Sequence, residues 1–340
     1  MGTNDDYLWD GSGRPDPEVR RLEQLLERFR HSRLAPDFPA VAPAEARPSR
    51  SQMLWPLAAA AALILALGAT LLHVATRRAA GWTIADLSGS PRIGSNPALV
   101  SKQWKVGEAL ETDANSRVEL QVAGLGQVGV EPNSRLTLLK ASASQEHILL
   151  ERGTIRASIV APPYVFVVRT PTAYAMDMGC AYTLHVNDDG SSLLRVTVGW
   201  VDLQRGWRQS LVPAGAAAES RPSVGPGAPY FEDASERLRS ALETVNFDLE
   251  DSQARSAALT TVLAEAQGHD SYTLLNLFRR VDPADRGRLY DRLAALVPAP
   301  AGATREGAIA GDWRTLDPWW DAVGVGHAKK GGAKIPHLEE

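Results

Sequence analysis

The sequence predicts a mixed chain of several segments: a short N-terminal α unit, one transmembrane helix, an all-β domain and an α-helical C-terminal region. Three observations predict it. Residues 53–75 form an uncharged apolar run, alternation of period two extends from Gly81 to about Ser220, and helical periodicity recurs from Ala234 onward.

The N-terminal unit covers residues 1–33. Tyr7, Leu8 and Trp9 form an apolar cluster, and Asp10-Gly11-Ser12-Gly13 breaks the chain after it. Asp16 then suits an N-cap, Pro17 the first helical position, and Glu18 the positive end of the helix dipole. Val19, Leu22, Leu25, Leu26 and Phe29 recur at helical spacing, with Arg20, Arg21, Glu23, Glu27 and Arg28 opposite. One short amphipathic helix cannot bury such a stripe by itself. Trp9, Leu22, Leu25, Leu26 and Phe29 are therefore the candidate partner-binding residues, and packing on Tyr7–Trp9 is the competing use of the same stripe. Residues 34–52, rich in Pro, Ala and Arg without periodicity, read as a flexible linker.

The run at 53–75 is expected to span a membrane, with Leu54, Trp55, Leu65 and Leu72 facing lipid or its interface. Roughly 20 helical residues at about 1.5 Å each cross a bilayer core. A soluble core helix normally keeps a polar stripe, and a signal peptide starts nearer the N-terminus. Orientation stays open on charge alone: Arg33, Arg47 and Arg50 on one flank balance Arg77, Arg78 and Arg92 on the other.

Residues 81–222 are expected to form the β domain. Arg117–Val122, Gln127–Val130, Arg135–Leu139, His147–Leu150, Thr154–Val160, Tyr164–Val168, Cys180–Val186, Leu193–Val198 and Trp200–Gln204 all read as short strands. Pro132-Asn133, Pro162-Pro163, Asp188-Asp189-Gly190 and Gly199 punctuate them, and Asp189-Gly190 marks a hairpin. Residues 232–298 read as helical, with Ala234–Val245, Asp251–Gln267, Ser271–Val281 and Asp285–Leu296 periodic, and Asp282-Pro283 a helix start. Residues 299–326 hold Trp313, Trp319 and Trp320, and Gly311–Gly324 within them is expected to fold back as a short helix. Residues 327–340, rich in Gly and Lys, read as a disordered tail.

Chemistry-bearing motifs are scarce. Gly124-Leu-Gly126-Gln-Val-Gly129 matches a dinucleotide fingerprint, but a strand follows it where a helix N-terminus would be needed, so it reads as a hairpin turn. The seven histidines fall at no metal-ligand spacing, and the single cysteine, Cys180, reads as a packed thiol. Net charge is −4, which leaves no electrostatic footprint for direct nucleic-acid binding. The expectation is no enzyme, no cofactor and no metal.

Val106–Leu139, Leu150–Gly190, Leu193–Gln204 and Leu211–Pro222, in that order, carry a linear pattern that resembles the FecR domain. The resemblance implies an antiparallel roll or solenoid-like β domain in which Gly107 opens a strand, Asn115-Ser116 and Gly153 turn, and Gly215 closes. It further implies a single-pass regulator of the inner membrane, N-terminus cytoplasmic and β domain periplasmic. Such a regulator senses an extracytoplasmic cue and controls an extracytoplasmic-function sigma factor through its N-terminal tail. Asp6–Gly11 and Glu18–Phe29 fit the outline of an anti-sigma unit, zinc-free because only His31 is present. A periplasmic or outer-membrane protein, such as a TonB-dependent transducer, is the implied input. The alternative is a membrane-tethered periplasmic scaffold that binds an envelope protein or cell-wall polymer without sigma-factor control.

Overall fold

The computed structural model describes residues 16–29, 82–122, 124–142 and 144–323. They fall in two compact units, residues 16–29 in one and 82–323 in the other. In the first, helix α1 (Pro17–Glu27) starts as its sequence dictates: Asp16 accepts a hydrogen bond from the Glu18 N–H at 2.8 Å, and proline fills the first turn.

The second unit opens with two β-sheets packed on one core. The first sheet runs β1 (Thr83–Ser88), β5 (Arg117–Val122), β6 (Gly126–Val130), β8 (Gln145–Ile159), β11 (Ala181–Val186), β12 (Ser192–Val198) and β15 (Ala216–Arg221). The short β16 (Gly225–Pro226) and β17 (Tyr230–Phe231) pair with β15. The second sheet runs β3 (Asn96–Pro97), β2 (Arg92–Ile93), β4 (Ala109–Glu111), β7 (Arg135–Ser142), β8 again, β9 (Phe166–Arg169), β10 (Tyr174–Asp177), β13 (Trp200–Arg205) and β14 (Arg208–Pro213). Alternation decides which side chains go inside. Val118, Leu120 and Val122 of β5 are buried, and so are Leu136 and Leu138 of β7, facing one another across a single apolar core.

Strand β8 belongs to both sheets, and Gly153 makes this possible. Residues 145–152 pair with β7, whereas Gly153 onward pairs with β11 and residues 155–159 with β6. Gly153 has φ +91°, and a Cβ there would fall on Ser134, within 2.6 Å of its Cβ. The bend that carries the strand between sheets therefore needs both a left-handed φ and an absent side chain. The sequence reading of two strands separated by a turn at Gly153 is corrected to one continuous, bent strand. Because β8 changes sheets before it ends, the returning chain enters beside its first half and runs parallel to it, Glu146 opposite Phe166. The domain is thus a sandwich with one parallel pair, neither a wholly antiparallel roll nor a solenoid.

The glycine motif and the Asp189-Gly190 signal fall where expected. Gly124 (φ +75°) turns the β5–β6 hairpin, and residues 187–191 close the β11–β12 hairpin.

The helical region is α2 (Glu236–Phe247), α3 (Ser252–Glu265), α4 (Ser271–Leu277), a 3-10 turn at Pro283–Asp285, α5 (Arg286–Leu296), α6 (Arg305–Ala310), a second 3-10 turn at Trp313–Leu316, and α7 (Asp317–Ala322). Ser235 and Asp251 cap α2 and α3 through their side chains. Leu242, Leu259, Leu274, Phe278, Leu289 and Trp319 share one core, so the tryptophan-bearing segment belongs to the same body as the earlier helices. This body packs on the outer face of the second sheet: the Trp200 and Tyr272 rings lie 5.8 Å apart, and the Tyr272 hydroxyl donates to the Leu211 carbonyl.

The predicted fold class included one membrane-spanning helix, and that part is corrected. Among the described residues no helix is long and apolar enough to cross a membrane. The longest, α3, has 14 residues and carries Arg255 and Glu265; at about 1.5 Å per residue it falls well short of a bilayer core. Residues 53–75, with Leu54, Trp55, Leu65 and Leu72, lie outside the described residues, as do the linker and the tail. The fold class that stands is a short helical unit, a β-sandwich and a helical body.

Candidate partner-docking site

Four of the five candidate partner-binding residues lie together on one face of α1 and its C-terminal turn. Leu22 is 58% exposed, Leu25 51%, Leu26 62% and Phe29 71%. The spacing i, i+3, i+4, i+7 aligns them, and no residue of α1 is buried. The Arg28 guanidinium sits 5.1 Å from the Phe29 ring centroid, so the end of the stripe has a cationic rim. Four large apolar side chains on eight consecutive residues make a surface suited to a groove in another protein. Trp9 and the Tyr7–Trp9 cluster lie outside the described residues.

The β-sandwich holds a second kind of candidate, buried polar groups. The Cys180 thiol donates to Asp177 Oδ2 at 2.7 Å, and the Gly179 N–H donates to Oδ1 at 2.6 Å. Burial pushes the Asp177 carboxyl up to about 6, against the hydrogen bonds it accepts. Burial, with the adjacent carboxylate, also pushes the Cys180 thiol far up, so it stays protonated at neutral pH and is no nucleophile. Asp202, on the sheet face under the helical body, accepts from Gln204 and Gln209 at 2.7 and 2.8 Å, and burial raises it to about 6 as well. Glu146 accepts from the Trp82 indole N–H at 2.7 Å inside the core, and its carboxyl is likewise raised by burial. His185 is held by Thr154 and Asn187 at 2.8 and 2.9 Å. Among the described residues no three His, Cys, Asp or Glu side chains converge as a metal site.

Asp202 and Glu146 were not singled out in the sequence, nor was the fully enclosed Arg280. A charge in a period-two strand normally reads as the solvated face. Strand β13 shows why the pattern misleads: Val201 and Leu203 face the sandwich core while Asp202 lies on the opposite face, beside Tyr272 of the helical body, so both faces are buried.

Comparison with known proteins bears on the β domain. Residues 108–202 match the family model described as FecR protein. That stretch runs from the residue before β4 into β13, so the sandwich extends beyond the match at both ends. Two crystal structures of a protein from Parabacteroides distasonis ATCC 8503, provisionally designated an anti-sigma factor, are similar to 39% of this chain at 14% identity and a TM-score of 0.33. The similarity covers 63% and 62% of those chains, less than two thirds of their length. No curated protein matches significantly. The family match lies on the shared, bent strand and its neighbours, so the chain carries a FecR domain within its β-sandwich, matched over residues 108–202.

Proposed function

We propose that this chain regulates a sigma factor, with the apolar face of α1 as the docking surface and the β-sandwich as the body that receives the signal. The observation that carries the reading is the exposed row Leu22, Leu25, Leu26 and Phe29 in a chain that also holds a FecR domain. Burying four such side chains in a partner groove contributes roughly 1.5–3 kcal/mol each before ordering costs are subtracted. That is enough for a specific complex. The charged residues of the opposite face keep the free helix in water. The FecR domain supplies a rigid sandwich whose function, on this reading, is to change the availability of α1 when a cue binds.

The test is transcriptional. The full chain is co-expressed with individual extracytoplasmic-function sigma factors of its host, each with a reporter from its own promoter. The reading expects the output of one sigma factor to change by about tenfold, equivalent to about 1.4 kcal/mol, and the Leu22→Asp/Leu26→Asp chain to lose that effect. Unchanged output for every sigma factor would favour a scaffold that binds an envelope component without transcriptional control.

A further inference from the structure

Where β14 begins, beside the end of α4 and the tryptophan-bearing segment, the second unit encloses a cleft of about 100 Å³. Its charged lining consists of three arginines, Arg208, Arg279 and Arg280, and three tryptophans, Trp207, Trp313 and Trp320, stand around them. No acidic side chain lines it. The chain as a whole carries net charge −4, so this concentration of cations is a local feature.

Two of the arginines are more than nine-tenths buried, Arg208 at 6% and Arg280 at 7% exposure. Neither forms an ion pair among the described residues. The acids nearby in sequence are engaged elsewhere, Asp282 with Arg255, Asp285 with Arg288 and Asp291 with Arg305. Arg280 donates to the carbonyls of Asn276 and Gln209 and to Ser210 Oγ, and its buried Nε has no hydrogen-bond partner. Arg208 donates from Nη1 to the Asn246 carbonyl at 3.3 Å and lies 5.1 Å from the Trp207 ring centroid. Arg279 lies 5.4 Å from the centroid of Trp313, a ring that also faces Arg286 at 4.9 Å.

Buried cations without a counter-charge have already lost their hydration, so an arriving anion recovers the Coulomb energy without that desolvation being repeated. Burial, and then the repulsion of Arg208 and Arg279, lowers Arg280 to about 9. The cleft, about 100 Å³, has room for a carboxylate and its methylenes between the arginines. The rim favours a protein as the source: Trp207 is 67% exposed and Trp313 and Trp320 are half-buried, and arginine with tryptophan is the composition of interface anchors.

We infer that this arginine–tryptophan cleft docks the side-chain carboxylate of an acidic segment on a partner protein, with the tryptophans covering the apolar residues beside it. The inference is independent of sigma-factor binding through α1, since the site lies wholly in the second unit.

The experiment follows tryptophan fluorescence of the full chain during titration with a capped tetraglutamate peptide, a capped tetraglutamine peptide and inorganic phosphate. The expected result is a saturable change with tetraglutamate, weakened at about 0.5 M salt where charges are screened within a few ångströms. Tetraglutamine and phosphate should each bind about tenfold more weakly or less. Arg279→Gln, at an exposed position that does not endanger folding, should weaken tetraglutamate about tenfold, whereas Arg237→Gln, far from the cleft lining, should leave it unchanged. No saturation, equal binding of tetraglutamine, or an unchanged Arg279→Gln titration overturns the proposal. Phosphate binding as tight as tetraglutamate also overturns it, by making the cleft a small-anion site.

Discussion

Arg280 of the helical body donates from Nη2 to Oγ of Ser210 in β14 at 2.6 Å, and the same nitrogen donates to the Gln209 carbonyl at 2.8 Å. One enclosed guanidinium thereby joins the sandwich to the helices that follow it. Tyr272 on Leu211 and Asn246 on the Ala228 N–H add to the same seam. The helical region accordingly folds as an extension of the FecR domain within one unit, sharing its sheet as a wall.

Removing that guanidinium leaves carbonyls and a hydroxyl buried without donors. Arg280→Ala is expected to lower stability by about 3 kcal/mol, read as a fall in the urea midpoint. Arg237→Ala, on the surface of α2, should lie within about 0.5 kcal/mol of the parent.

The bend of β8 gives a cleaner comparison. Gly206 has φ +55° with open space around it, whereas Gly153 has φ +91° and stands against Ser134. Gly206→Ala is expected to cost about 1 kcal/mol from backbone strain alone. Gly153→Ala adds a steric clash and should cost about 3 kcal/mol or prevent folding. Equal losses in denaturant titrations would mean that the bend does not depend on the bare α-carbon.

The buried acids set a pH dependence whose sign is unusual for carboxylates. Asp177 and Asp202 titrate at about 6 in the folded chain, up from 3.8. Between about pH 4 and 6 the native state therefore holds protons that the unfolded chain has released, and these two groups make stability fall as pH rises through that window. Urea midpoints should decline from pH 4.5 to 6.5 in the parent. The Asp177→Asn/Asp202→Asn chain should show a flatter profile.

Cys180 should be silent toward thiol reagents. It is 3% exposed, donates to Asp177, and is kept protonated by burial. At pH 7–8 the native chain is expected to react at the rate of its unfolding, and the chain in denaturant at once. Rapid labelling of the native chain would contradict the packed-thiol reading.

Much of the sandwich was legible because its physics is local. Alternation in RVELQV and CAYTLHV announces which side chains face the core, and Gly124 and Asp189-Gly190 announce turns by their backbone freedom. What depended on distant contacts was not legible. Gly153 reads as a turn until Ser134 is placed against it, and the parallel β8–β9 pair follows only from the strand's passage between sheets. The arginine–tryptophan cleft draws on residues 207 to 320, which no spacing rule connects. At the N-terminus the reverse holds. The stripe Leu22–Phe29 was read directly from helical periodicity, and α1 leaves it exposed.

On this proposal the stripe of α1 docks a sigma factor. The most direct measurement is calorimetric titration of the full chain with the sigma factor identified by the reporter, beside the Leu22→Asp/Leu26→Asp chain. The expected result is saturable binding with a negative heat-capacity change, the mark of apolar burial, and a loss of about a hundredfold or more in the variant, with its unfolding midpoint unchanged. Equal affinity of parent and variant would contradict it.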